Sequence, residues 1–126
     1  MAVGITLDAG ALVAFERGQR RAVALVVRAR ERGERLCVPA GVVGQVWRDG
    51  RRQANLSRLL GSDSCDIVGL DDHGARAAGQ LLGVAGGNDV IDATVVLCAR
   101  SRGHRIATSD PDDMHRLDPH AELVIM

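Results

Sequence analysis

The stretch from Asn88 to Asp113, NDVIDATVVLCARSRGHRIATSDPDD, constrains this chain more than any other. It reads as a helix, a tight turn at Gly103 and a short strand, with acidic residues at both ends. Asn88 is the natural N-cap. Asp89 and Asp92 then fall in the first turns of the helix, while Asp110, Asp112 and Asp113 follow the strand. The helix runs away from its acids and the strand returns, so the two acidic ends should meet. Another acid, Asp8, ends the first apolar run of the chain.

The remaining chain repeats this alternation. Residues 3–7 read as a buried strand, 10–17 as a short helix and 19–32 as an amphipathic helix with an arginine face, closed by Gly33. Residues 36–38 form a short apolar strand cut off by Pro39. Helices are expected over 40–48 and, after Gly50, over 51–60. A strand follows at 65–70, then a helix over 72–83 capped by Asp71 and Asp72 and broken by Gly83 and Gly86–Gly87. Pro111 opens a helical turn to Leu117, and residues 122–126 form a last strand. Short continuous apolar strands alternating with helices predict an α/β fold, a parallel sheet covered on both faces. Residues 1–126 suffice for a single domain, with no linker or internal repeat. In such sheets ligands bind at the carboxyl ends of strands, near the point where strand order reverses. Asp8 and Asp110 both occupy such ends.

Composition removes several alternatives. All sixteen basic residues are Arg and none is Lys, which excludes a P-loop and a Schiff-base enzyme. The aromatic content is 2%, Phe15 and Trp47 alone, so base stacking cannot dominate recognition of a nucleic acid. Cys37, Cys65 and Cys98 are widely spaced, with no pattern for structural zinc. Three free thiols fit a reducing cytoplasm. No run is long enough to cross a membrane, and there is no secretory signal pattern. His73, His104, His115 and His120 show no ligand spacing and read as surface or loop residues.

Hard divalent cations take oxygen ligands. A cluster of Asp at strand ends is therefore either solvated surface or a cation site, because close carboxylates repel by about 4 kcal/mol at ~4 Å and an effective dielectric of roughly 20. Each acid has a plainer reading. Asp8 could be a helix N-cap, Asp89 a helix-start acid and Asp110 a turn acid before Pro111. Asp92, three residues after Asp89 within an otherwise apolar run, is harder to explain as surface. The expectation is that these acids converge on a divalent metal and that the protein cuts a phosphodiester.

These segments resemble the PIN-domain family, in particular the VapC-type toxins of bacterial toxin–antitoxin pairs, over nearly the whole chain. Residues 5–14, ITLDAGALVA, look like the family's opening strand, acid and helix. Residues 92–100, DATVVLCAR, lead through Gly103 to residues 106–110, IATSD, which is similar to the family's acidic helix, glycine turn and Thr-x-Asp strand end. The resemblance implies a PIN-like three-layer α/β/α sandwich with a short central parallel sheet. It places Asp8, Asp92 and Asp110 on the metal-binding and catalytic acids, with Asp89 as a fourth candidate ligand. It also implies a Mg2+- or Mn2+-dependent ribonuclease, a homodimer and a cognate antitoxin. One departure stands out: Gln45 occupies the position of the family's Glu in the helix after Pro39. Gln keeps an oxygen acceptor but loses the charge. Gln45, Thr108 and Ser109 are candidates for supporting hydrogen bonds at the site. Arg48, Arg51 and Arg52 are candidates for RNA phosphates, for antitoxin acids or for a solvated face.

Two rivals remain open on the sequence. Gln45 favours a catalytically weakened PIN-like module that binds RNA or protein. A phosphotransfer domain with Asp8 as phosphoacceptor ranks low, since such domains rely on a Lys that this chain lacks.

Overall fold

The computed structural model describes residues 3–126. The elements are β1 (Gly4–Leu7), α1 (Ala9–Glu16), α2 (Arg20–Glu31), β2 (Arg35–Pro39), α3 (Ala40–Val46), α4 (Ala54–Leu60), β3 (Cys65–Val68), α5 (Asp72–Ala85), α6 (Val90–Arg102), β4 (Arg105–Thr108), α7 (Pro111–Leu117) and β5 (Leu123–Ile125). The strands form one sheet in the order β3-β2-β1-β4-β5, with every neighbouring pair parallel. This is the expected α/β architecture, a five-stranded parallel sheet flanked by helices.

Strand order and handedness together dictate the layers. From β1 the chain steps outward to β2 and β3, then returns past β1 to β4 and β5. Parallel crossovers are right-handed. The outward steps, carrying α1 to α4, therefore cover one face, and the returning steps, carrying α5 to α7, cover the other. Packing agrees: α1 lies against α2, α3 and α4, while α5 lies against α6 and α7. Burial on both faces explains why β1 and most of β2 are buried at every position. Ile5, Leu7, Leu36, Val38 and Ile106 form the sheet's contribution to the core, closed by Leu12, Val26 and Leu56 on one side and Val95, Val96 and Met114 on the other. Each such side chain contributes about 1.5–3 kcal/mol on burial. Phe15 and Trp47 are only partly buried, so the interior is aliphatic.

Two local expectations are corrected, and one contact is new. The helix expected over 51–60 starts at Ala54. The Asp49 side chain accepts the Arg51 N–H at 3.0 Å, and Gln53 Oε1 accepts the Arg48 and Asp49 N–H groups at 2.8 and 3.0 Å. These side chains offer the backbone an alternative to helix. The helix expected to break at Gly83 continues to Ala85 and ends at Gly86, whose φ of 84° is the left-handed conformation that stops it. The cysteines, far apart in sequence, are not all apart in space: Cys37 Sγ on β2 and Cys98 Sγ on α6 lie 2.7 Å apart in the core.

Gly4 marks a close approach. A Cβ there would fall 2.4 Å from the Arg35 carbonyl oxygen of the paired strand and 2.6 Å from His104 Nε2. Backbone cannot move aside as a side-chain tip can. Gly4→Ala is therefore expected to destabilise the protein by about 2 kcal/mol, as overpacking does, read as a lowered urea midpoint. An unchanged midpoint would mean that β1 and β2 are not held in this register.

Candidate active site

The site follows from the pairing of β1 with β4. Leu7 pairs with Ala107, and the Asp8 N–H donates to the Ala107 carbonyl at 3.1 Å. Asp8 and Asp110 thus leave adjacent strand ends at the point where strand order reverses, between β1 and β4.

Asp8 is both a cap and a member of the acidic group. It is 4% exposed, and its Oδ1 accepts the Ala11 N–H at 2.8 Å, capping α1. Burial raises its pKa, opposed by hydrogen bonds from the Thr108 side chain and the Ala11 backbone and reinforced by the charge of Asp110. Thr108 is fully buried and accepts the Asp110 N–H at 2.9 Å on Oγ1. One hydroxyl therefore serves both strand-end acids. Ser109 packs on Gly10, where a Cβ would fall 1.7 Å from Ser109 Oγ.

At the other approach, Asp89 rather than Asn88 is the N-cap of α6. Its side chain accepts the Asp92 N–H at 3.0 Å. This fixes Asp92 on the inner side of the first turn. The pKa of Asp92 is raised to about 6, first by burial, then by the charges of Asp89, Asp8, Asp113 and Asp110. The charges of Asp8, Asp89, Asp110 and Asp113 thus all act on Asp92. Asp113 is an addition. It lies one turn into α7, its pKa is raised first by a hydrogen bond with Asp110, and it lines a depression of about 200 Å³ with Asp89, Asp92 and Arg116. Its spacing of three from Asp110, in the first turn after Pro111, was the available signal.

Gln45 is exposed near the end of α3 and lines an adjoining depression of about 360 Å³ with Gly10, Ser109 and Met126. It shares the Ser109 side of the rim, not the Asp92 depression. Arg48, Arg51 and Arg52 are exposed on the turn after α3. The Arg48 guanidinium donates to the Gly44 and Trp47 carbonyls at 3.1 and 2.7 Å, and Arg52 lies 3.9 Å from Asp49. Their guanidinium groups contact none of the acids of the rim. Of the histidines, His104 is a loop residue between α6 and β4, as expected, but it is half-buried, with Nδ1 3.1 Å from Thr6 Oγ1, at the opposite end of the sheet.

The donor chemistry fits a hard divalent cation: carboxylate and hydroxyl oxygens, with no thiolate or imidazole at the rim. Among the described residues no three His, Cys, Asp or Glu side chains already form a ligating group. The acids are gathered at one rim rather than closed around a point. Neighbouring carboxylates help to raise the pKa of Asp8, Asp92 and Asp113, and a cation would relieve that repulsion.

Comparison with known proteins gives a family-model match to the PIN domain over residues 5–118. None of the curated proteins matches the sequence. Among solved structures, the chain is similar to VapBC2 from Rickettsia felis bound to a DNA fragment from its promoter, with TM-score 0.71, 14% identity, and 97% of this chain and 98% of that chain covered. It is similar to VapC20 of Mycobacterium tuberculosis, a sarcin–ricin loop cleaving toxin, with TM-score 0.62, 15% identity, and 84% and 88% covered. It is also similar to FitAcB from Neisseria gonorrhoeae, with TM-score 0.60, 16% identity, and 94% and 95% covered. At these identities the likeness is one of fold.

The raised pKa of Asp92 has a measurable consequence. Between its ordinary value of 3.8 and about 6 the folded state binds more protons than the unfolded chain. Without divalent cations, stability should therefore fall as pH rises through that window. Asp92 is only partly buried, so solvent screening limits the loss to about 1 kcal/mol. Asp92→Asn should flatten this part of the pH profile and be the more stable protein at neutral pH in EDTA. Thermal melts from acid to neutral pH check it; parallel profiles for both proteins would show that Asp92 lies outside the acidic group.

Proposed function

Because the chain belongs to the PIN-domain family, we propose that it is a divalent-metal-dependent endoribonuclease and the toxin of a type II toxin–antitoxin pair. PIN domains are typically nucleases that use divalent metals. The observation that carries the reading here is the placement of Asp8 and Asp110 after the adjacent, paired ends of β1 and β4, with both charges acting on Asp92. Residues 1–126 act as one domain. Asp8, Asp92 and Asp110 are the proposed holders of Mg2+ or Mn2+, with Asp89 and Asp113 at the edge. The bound cation supplies an activated water and neutralises phosphate charge. The chain's own residues set up the rest. Thr108 orients the two strand-end acids, the α1 cap holds Asp8 in one rotamer, and Ser109 and Gln45 offer polar atoms on the side where an RNA strand leaves. Arg51 and Arg52 are proposed phosphate contacts beyond Gln45; Arg48, tied to carbonyls at the end of α3, is a weaker one.

The proposed partner is an antitoxin. Similar structures include toxin–antitoxin complexes, which supports this reading. A cytoplasmic location and a homodimer go with it. The second reading, a weakened PIN-like module that binds RNA or protein, rests on Gln45 at the rim where a carboxylate would strengthen the site.

Two substitutions test the proposal. Asp8→Asn keeps an acceptor for Ala11, since Asn caps helices as well as Asp, and so should leave stability intact. Its Mn2+-dependent cleavage of RNA should fall by more than about a hundredfold, beyond the effect of losing a supporting residue. Retained cleavage would remove Asp8 from the reaction.

Gln45→Glu adds a charge at an exposed position, so no buried unpaired carboxylate results. Mn2+ affinity by calorimetry should rise by about tenfold, equivalent to about 1.4 kcal/mol. Unchanged affinity would place Gln45 outside the cation's reach. If the unmodified protein takes up no Mn2+ at all, the binding-module reading prevails.

A further inference from the structure

A cleft of about 480 Å³ runs along α2 and the edge strand β5, apart from the acidic rim. Arg20, Arg21, Arg28, Arg32 and Arg105 line it against a single acidic side chain, Glu34. Glu34 is already engaged, pairing with Arg105 at 3.2 Å. Among the described residues no carboxylate lies within ion-pair distance of Arg20, Arg21, Arg28 or Arg32. Arg105 Nε, buried, has no hydrogen-bond partner among the described residues.

The spacing makes this a directed surface. Arg21, Leu25 and Arg28 on α2 and Arg32 at its C-cap recur at intervals of four, three and four, one stripe, about 16 Å long at 1.5 Å per residue. Leu25 and Val124 give the cleft an apolar floor. Among the described residues Arg21 Nη1 donates only to the Ile125 carbonyl, at 3.4 Å, so guanidinium groups along this stripe lack a countercharge that a polyanion would supply. The cleft also leads somewhere. Met126 lines it and, in addition, the depression shared with Gln45, Gly10 and Ser109. The Met126 N–H donates to the Thr108 carbonyl at 2.9 Å, two residues before Asp110.

We propose that this arginine cleft binds the phosphate backbone of single-stranded RNA, continuing the strand whose phosphodiester lies at the acidic rim. The inference rests on the ribonuclease reading above for the identity of the polyanion. Guanidinium forks match phosphate oxygens, and the scarcity of aromatic side chains leaves charge as the means of holding a strand. A protein partner needing only positive charge has no use for a path that opens toward the acids; a strand cut there does.

The test is binding of a fluorescein-labelled oligouridylate by the full chain, followed by anisotropy in EDTA so that no cleavage intervenes. Arg28→Ala/Arg32→Ala should raise Kd by at least about tenfold and lower the slope of log Kd against log salt by about 1.4, at roughly 0.7 per phosphate contact for single strands. Arg28→Lys/Arg32→Lys should keep most of the slope. Arg58→Ala/Arg76→Ala removes two charges elsewhere and should change neither quantity. All six substitutions are at exposed positions, and circular dichroism checks their fold. Equal effects from both alanine pairs, or none from the cleft pair, would overturn the inference. So would a cleft pair that keeps RNA binding but loses a poly-glutamate peptide, which would make the cleft a protein-docking surface. Cleft-dependent RNA binding without Mn2+-dependent cleavage defeats the ribonuclease reading and leaves the cleft standing. Cleavage with cleft-independent binding does the reverse.

Discussion

The pairing of β1 with β4 is the contact on which the rest of the molecule depends. Leu7 beside Ala107 brings two strand ends to one point, and the chain leaves that point into α1 from Asp8 and into α7 from Asp110. Because β2 and β3 lie on one side of β1 and β4 and β5 on the other, the helices leave on opposite faces and a crevice opens between them. Shifting the pairing by one residue would reverse the faces of Thr6 and Leu7. It would also carry Thr108 away from Asp8. Register in the aliphatic core and geometry at the acidic rim are therefore the same constraint.

Much of this was legible in the sequence because its signals are local. Short apolar runs give strands, and Asp8, Gly33 and Gly103 mark element ends through caps and turns that require only neighbouring residues. The direction of α6 and β4 followed from one turn at Gly103, which is why Asp92 and Asp110 could be expected at the same end. What stayed illegible depends on side chains competing with the backbone or on distant packing. Nothing in the order of residues 48–53 says that Gln53 will collect two backbone N–H groups and delay α4. Asn88 and Asp89 are equally good caps in isolation; in the fold it is the Asp89 side chain that accepts the Asp92 N–H. The contact between Cys37 and Cys98 joins residues 61 apart, beyond the reach of any periodicity. Asp113, by contrast, was within reach of the sequence: Pro111 opens a helical turn, and a spacing of three from Asp110 sets the two acids side by side.

Net charge is zero, yet the charges are sorted. Carboxylates gather at the carboxyl ends of β1 and β4, and arginines line α2 against β5. Interspersed opposite charges would have neutralised one another in surface pairs worth little. Sorted charges instead leave one surface rich in carboxylates and another rich in guanidinium groups. The proposed ligands, a divalent cation and a phosphodiester strand, are of opposite charge and would together complement both.

Asp8 shows how stability and site chemistry are reconciled in so small a fold. A buried carboxylate is unfavourable unless hydrogen-bonded, and a cation site needs one that is not fully satisfied. Asp8 resolves this by dividing its hydrogen bonding. Oδ1 takes the Ala11 N–H, which holds α1 and offsets part of the desolvation, while Thr108 steadies the carboxylate without adding a countercharge. The pKa nevertheless stays above the ordinary value, so the group retains electrostatic strain in the folded chain. A positively charged side chain at Thr108 would remove that strain and, with it, the proposed reason for a cation to bind. The uncharged hydroxyl gives orientation and leaves the charge available, and that division of labour is what the buried Thr108 contributes to the rim.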